Sequence, residues 1–84
     1  MRITLKLYAT LTDSLPPAAR GDNLVALDIA EGASIEEAIA PFALPPRLTH
    51  LVLVNGVFVP PAERGARALR EGDVLAIWPP IAGG

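Results

Sequence analysis

Nine prolines govern what this 84-residue chain can become: the pairs Pro16-Pro17, Pro45-Pro46, Pro60-Pro61 and Pro79-Pro80, and a lone Pro41. A proline donates no backbone hydrogen bond and its ring crowds the preceding turn, so neither a long helix nor a long central strand can run through these points. Pro16-Pro17 stops any helical turn begun near Leu11 and Leu15. Pro41 limits the one segment with a helical period, Pro45-Pro46 keeps the chain extended, and Pro60-Pro61 ends strand pairing. The fold must be built from short elements.

Strand signals dominate. Arg2 to Tyr8 alternates polar Arg2, Thr4 and Lys6 with apolar Ile3, Leu5 and Leu7, the period of two of a half-buried strand. Asn23 to Ala30 repeats the pattern with Val25, Leu27 and Ile29. Leu51 to Val54 and Val57 to Val59 flank Asn55-Gly56, the preferred pair for a type I′ hairpin turn. Glu71-Gly72-Asp73 turns the chain into a last strand, Val74 to Trp78, and Leu69 is expected to plug the core. A single helix fits between the second and third strands. Ser34 and Glu37 form a capping box, and Ile35, Ala38, Ile39 and Phe42 make an apolar stripe that should end near Ala40.

The order predicts an α+β domain over 1–78, a mixed sheet of four to five strands with one main helix packed on one face, followed by an extended diglycine tail over 79–84. One helix leaves the other face of the sheet uncovered. Some of Val52, Val54, Phe58, Val74 and Trp78 are therefore expected outside the core. Alternation puts Leu75 and Ile77 inward and Trp78 outward with Val74 and Ala76. An apolar patch at the root of the tail would suit a partner, and tryptophan is a frequent anchor in such contacts.

Composition excludes much catalysis. With no cysteine and one histidine, disulfides, thiolate nucleophiles and cysteine-ligated metal are absent, and the sequence offers no metal-ligand set. His50 reads as a surface residue, and Glu36 and Glu37 as helix-start carboxylates. A net charge of −2 with dispersed basic residues argues against nucleic acid; Arg64, Arg67 and Arg70 read as a solvated face. No run approaches the roughly 20 apolar residues of a membrane helix, and the N-terminus lacks a signal-peptide pattern. A cytoplasmic protein is expected, with neither membrane nor nucleic-acid partner.

The reactive group that remains is the carboxylate of Gly84. Glycines at 83 and 84 can follow a narrow channel that side chains would block, and six extended residues reach roughly 20 Å. A carboxylate must be activated before it can acylate anything. Attack on the α-phosphate of ATP gives an acyl-adenylate that a sulfur or nitrogen nucleophile can open. The chain has no phosphate-binding glycine loop, so a partner must hold the ATP, and no cofactor is expected on the chain itself.

Four blocks, Leu5-Lys6-Leu7-Tyr8-Ala9, Val54-Asn55-Gly56, Glu71-Gly72-Asp73 and above all Ile77-Trp78-Pro79-Pro80-Ile81-Ala82-Gly83-Gly84, together resemble the MoaD/ThiS family of sulfur carriers, whose fold is the ubiquitin-like β-grasp. The final block is similar to the tail of the small subunit of molybdopterin synthase. The resemblance implies that Gly84 is adenylated by a ubiquitin-activating-like adenylyltransferase (MoeB/ThiF-like). It then becomes a thiocarboxylate with sulfur from a cysteine desulfurase or rhodanese-type donor, and is consumed in a synthase. Pro79, Pro80, Ile81, Ala82 and Gly83 would insert into a large synthase subunit (MoaE-like) or another sulfur acceptor, and Trp78 with Phe58 would dock. Thiamin thiazole or cysteine synthesis, protein conjugation, and a β-grasp interaction module whose tail is never activated are the alternatives. The short helix and the compact Leu44 to Thr49 connection depart from the family pattern, and Pro60 to Arg70 carries no family signature.

Overall fold

The computed structural model describes residues 1–80; Ile81, Ala82, Gly83 and Gly84 lie outside the described residues. Five strands form one sheet: β1 (Arg2–Leu7), β2 (Leu24–Asp28), β3 (Leu51–Val54), β4 (Val57–Phe58) and β5 (Val74–Trp78). Their order is β2-β1-β5-β3-β4. β1 pairs antiparallel with β2 and parallel with β5, while β3 lies antiparallel to both β5 and β4. The first and last strands thus meet in the middle, where both are covered by neighbours. That is why β1 and β5 bury Ile3, Leu5, Leu7, Leu75 and Ile77, whereas edge strand β2 leaves Val25 and Leu27 half-buried.

The helix α1 (Ile35–Ile39) starts at Ser34. Both arms of the capping box form: Glu37 N–H donates to Ser34 Oγ at 3.1 Å and Ser34 N–H to Glu37 Oε1 at 3.0 Å. Two further amides of the first turn are also satisfied, Ile35 N–H by the Arg67 carbonyl and Glu36 N–H by that of Arg64. The segment after β4 therefore closes the helix start that would otherwise face solvent unpaired. Pro41 ends α1 as expected, and the chain continues into a 3-10 turn over Ala40–Phe42. Ile35 and Ala38 enter one core with the inward residues of β1, β3 and β5 and with Leu11, Leu15, Val59 and Leu69. Val52 and Val54, which could have lain outside, belong to this core.

The first three proline pairs behave alike. Pro16, Pro45 and Pro60 are extended, with ψ of 143°, 131° and 151°, because a following proline disfavours the helical region for the residue before it. Pro17, Pro46 and Pro61 each begin a 3-10 turn, Pro17–Ala19, Pro46–Leu48 and Pro61–Glu63, where a missing N–H goes unnoticed. Pro45-Pro46 thus extends the chain for one residue only, not two.

Asn55 and Gly56 have φ of 51° and 82°, the left-handed pair of a type I′ turn. Asn55 also reaches across the sheet end. Its Nδ2 donates to Asp73 Oδ1 at 2.9 Å, its Oδ1 accepts from Val74 N–H at 2.8 Å, and Asp73 Oδ2 accepts from Arg70 N–H at 2.9 Å. The hairpin turn and the Glu71-Gly72-Asp73 turn, two separate blocks of the sequence, are one hydrogen-bonded clasp. Burial pushes the Asp73 carboxyl up, but the Asn55 amide, the Arg70 N–H and the nearby charges of Arg67 and Arg70 outweigh it and hold the group below its ordinary value.

A carboxylate lowered in the native state stabilises fully above its unfolded value of about 4 and loses that contribution as pH falls through the lowered native value. The exposed Asp28 shifts the same way through the Arg2 hydrogen bond and charge. Asp73→Ala should cost about 1–3 kcal/mol at neutral pH and make the loss of stability below about pH 4 shallower. Urea melts of both chains between neutral and acid pH check this; parallel acid profiles would remove the clasp from the account.

One expectation fails. Arg64 is not part of a solvated face: it is 7% exposed, and its Nε, Nη1 and Nη2 donate to the carbonyls of Val59, Thr49 and His50 at 3.1, 2.8 and 2.9 Å. Arg70 is exposed as expected, and Arg67 is half-buried.

Candidate docking face and tail root

β5 ends in a clamp. Tyr8 N–H donates to the Ile77 carbonyl and His50 N–H to the Trp78 carbonyl, both at 3.2 Å, so the chain is held from both sides up to Trp78. The next two residues, Pro79 and Pro80, have no N–H to offer a neighbouring strand, and the ladder must stop there. Pro79 is half-buried and Pro80 exposed. The point where the chain leaves the sheet is thereby fixed to one residue.

Trp78 stands on the outward face, stacked on Tyr8 with ring centroids 4.0 Å apart and planes 7° from parallel. The stack holds the indole flat over the end of β1, which leaves Trp78 half-buried. It is both structural cover and exposed apolar surface. Alternation along β5 indicates this side for Trp78; its partner Tyr8 is the site residue that sequence reasoning missed. The signal was present in the parallel neighbour relation of Leu7 with Ile77, which local patterns do not reveal.

Phe58 lies on the same face. It pairs with Leu53, which pairs with Ala76, and it is 51% exposed. Leu51 pairs with Trp78 and is also outward, so Leu51 and Leu53 bridge the two aromatic anchors. From strand spacing and rise, the Phe58 and Trp78 backbones are roughly 12 Å apart. The arrangement is an apolar strip that runs from the outer hairpin to the tail root. The sequence-expected tail residues Ile81, Ala82, Gly83 and Gly84 lie outside the described residues.

Among the described residues, Leu51, Leu53, Phe58 and Trp78 give this face apolar surface. His50 is exposed and engages through its backbone. Among the described residues no cluster of histidine, aspartate and glutamate could hold a metal ion, and no helix is long and apolar enough to cross a membrane. A shallow cleft on the opposite side, lined by Glu36, Ile39, Leu44, Pro61 and Arg64, has its one guanidinium committed to backbone carbonyls. What the outward strip can do chemically is bind, by losing apolar surface to a partner at about 25 cal/mol per Å².

The sequence profile of the ThiS family matches residues 18–84. No curated protein sequence matches the chain. Among solved structures, SAMP1 from Haloferax volcanii is 26% identical, covers all of both chains and superposes with a TM-score of 0.71. The small archaeal modifier protein 1 of H. volcanii is 22% identical over 95% of this chain and 98% of its own, with a TM-score of 0.65. A chain of the complex of subunits 1 and 2 of the molybdopterin-converting factor of Helicobacter pylori is 15% identical over all of both chains, with a TM-score of 0.62. The shared architecture is the ubiquitin-like β-grasp.

Proposed function

The chain belongs to the ThiS family, and on that premise we propose that it is a sulfur carrier whose Gly84 carboxylate is adenylated and converted to a thiocarboxylate. The observation that carries the reading is the clamp at Trp78. A sheet-held aromatic anchor opens directly into Pro79-Pro80 and a diglycine sequence, beside an apolar strip. A group that must enter another protein's active site needs a defined point of departure and a grip next to it, and this geometry supplies both.

In this reading the chain is substrate and not catalyst. Gly84 attacks the α-phosphorus of ATP in a MoeB/ThiF-like adenylyltransferase and pyrophosphate leaves. The outer sulfur of a persulfide on a cysteine desulfurase or rhodanese-type donor then displaces AMP to give an acyl disulfide. A second thiol, which this cysteine-free chain must take from the donor or another partner, cleaves it to leave the thiocarboxylate and a disulfide. Pro79 to Gly83 are the inserted stem, and Trp78 and Phe58 with their outward neighbours are the docking surface. The H. pylori structure pairs its subunit 1 with a subunit 2, which supports a MoaE-like acceptor and the molybdenum cofactor pathway for this chain; the cytoplasm is the proposed place of these steps. The name of the H. volcanii modifier protein favours a second reading, a modifier whose activated Gly84 is taken by lysine amines. It shares every step up to the adenylate and differs in leaving adducts on other proteins.

Intact mass of the chain purified from its own host, without oxidants or added thiols, tests the reading. The expected result is a population heavier by the difference between sulfur and oxygen, with fragmentation placing the change at Gly84. An end that stays unmodified after incubation with ATP, the adenylyltransferase and a sulfur donor would make the chain an interaction module that uses only its outward strip.

A further inference from the structure

Lys6 is the only lysine in the chain, and the fold places it within the outward face. It sits on β1, inside the sheet, with Leu24 beside it on β2 and Ala76 beside it on β5. The same cross-strand row continues through Leu53 to Phe58. Five strands wide, the row spans roughly 19 Å, and Lys6 is its single charged member. The other cation of β1 on this face, Arg2, is paired with Asp28 at 3.0 Å, whereas Lys6 has no ion pair among the described residues.

A partner that covers this row must also cover the ammonium, or force its stem aside toward the β2 edge. Removing water from an unpaired charge is costly, and the cost is recovered only by an opposite charge or several oxygens placed against it. The remaining contacts of the row are apolar and indifferent to small sliding displacements. The ammonium is the feature that can fix the register of the partner and reject surfaces that lack a matching group.

We propose that Lys6 is a specificity-determining contact, and that the surface which covers this face presents a carboxylate against it inside an apolar surround. The partner in question is the adenylating protein, so the inference rests on the carrier reading given above. The overall charge of −2 would not draw an acidic partner to this chain; recognition is local, through Lys6.

The test is the KM for the chain in ATP–pyrophosphate exchange by the adenylyltransferase, at low and moderate salt, for wild type, Lys6→Met, Lys6→Arg and Lys6→Glu. Lys6→Glu should raise KM at least about tenfold, with Lys6→Met between it and wild type and Lys6→Arg near wild type. The wild-type KM should rise with salt and that of Lys6→Met much less, a readout that needs no comparison of folded fractions. Equal KM values and equal salt slopes would overturn the role of Lys6 and leave the carrier reading standing. A wild-type chain that supports no exchange would overturn both.

Discussion

Deleting Gly84 lowers adenylation at least about 100-fold and leaves the melting curve unchanged. The expected size follows from covalent geometry. Removing one residue pulls the carboxylate back by about 3.5 Å, while a misplacement of about 1 Å already costs on the order of 100-fold where reacting atoms must be aligned. The chain cannot slide forward to compensate. Trp78 is held by the His50 N–H and stacked on Tyr8, and Pro79-Pro80 restricts the start of the stem. Stability is spared because, among the described residues, the buried core ends at Ile77. Gly83→Ala should behave in the same direction by blocking a narrow approach while keeping the length. Exchange of labelled pyrophosphate into ATP measures both, with thermal melts alongside. A truncated chain that is adenylated normally, through its new Gly83 carboxylate, would mean that the length of the tail does not set the position of the reacting group.

How much of this was legible beforehand depends on the range of the interaction. The strands of the middle of the sheet, the capping box at Ser34 and the Asn55-Gly56 turn are set by residues within a few positions of one another, and all appear where the pattern puts them. The parallel meeting of β1 with β5 joins residues about seventy apart and leaves no local trace. Two features of the site depend on it: the Tyr8 stack beneath Trp78 and the place of Lys6 next to Ala76. The clasp of Asn55 with Asp73 is similar, since each turn is readable alone but their hydrogen bonds are not. Phe58 reached the outward face through its register with Leu53, which the two-residue turn does encode.

Arg64 was misread for a physical reason. Composition places arginines with glutamates on surfaces, yet a guanidinium can be buried without a carboxylate when its planar fork finds carbonyls in the right positions. Burial lowers the Arg64 pKa from its ordinary value, and the charge of Glu36 only partly opposes that, so the three carbonyls must carry most of the compensation. They belong to Val59, Thr49 and His50, which are the exit of the hairpin and the entry to β3. Arg64 therefore ties together both ends of the β3–β4 hairpin. His50 in turn holds the Trp78 carbonyl, which brings the brace to within one residue of the tail root.

Replacing Arg64 by Met keeps the aliphatic stem and removes all three hydrogen bonds. Bonds from a charged donor are worth about 1.5–3 kcal/mol each, and carbonyls left without a partner add to the loss. Relief of the buried charge and entry of water at the hairpin ends offset much of that. A net cost of about 2–4 kcal/mol remains, a large share of the roughly 4–13 kcal/mol expected for a domain of this length. Lys at this position keeps the charge without the fork and should recover only part of the loss. Arg70→Met, on an exposed side chain, should stay within about 0.5 kcal/mol. Urea denaturation of the four chains separates these expectations. Arg64→Met and Arg70→Met equal within error would return Arg64 to the solvated face that composition suggested. A large loss for Arg64→Met alone makes it the buried brace behind the docking face, so weaker adenylation of that variant at temperatures where it is still folded would follow from a loosened Trp78 anchor.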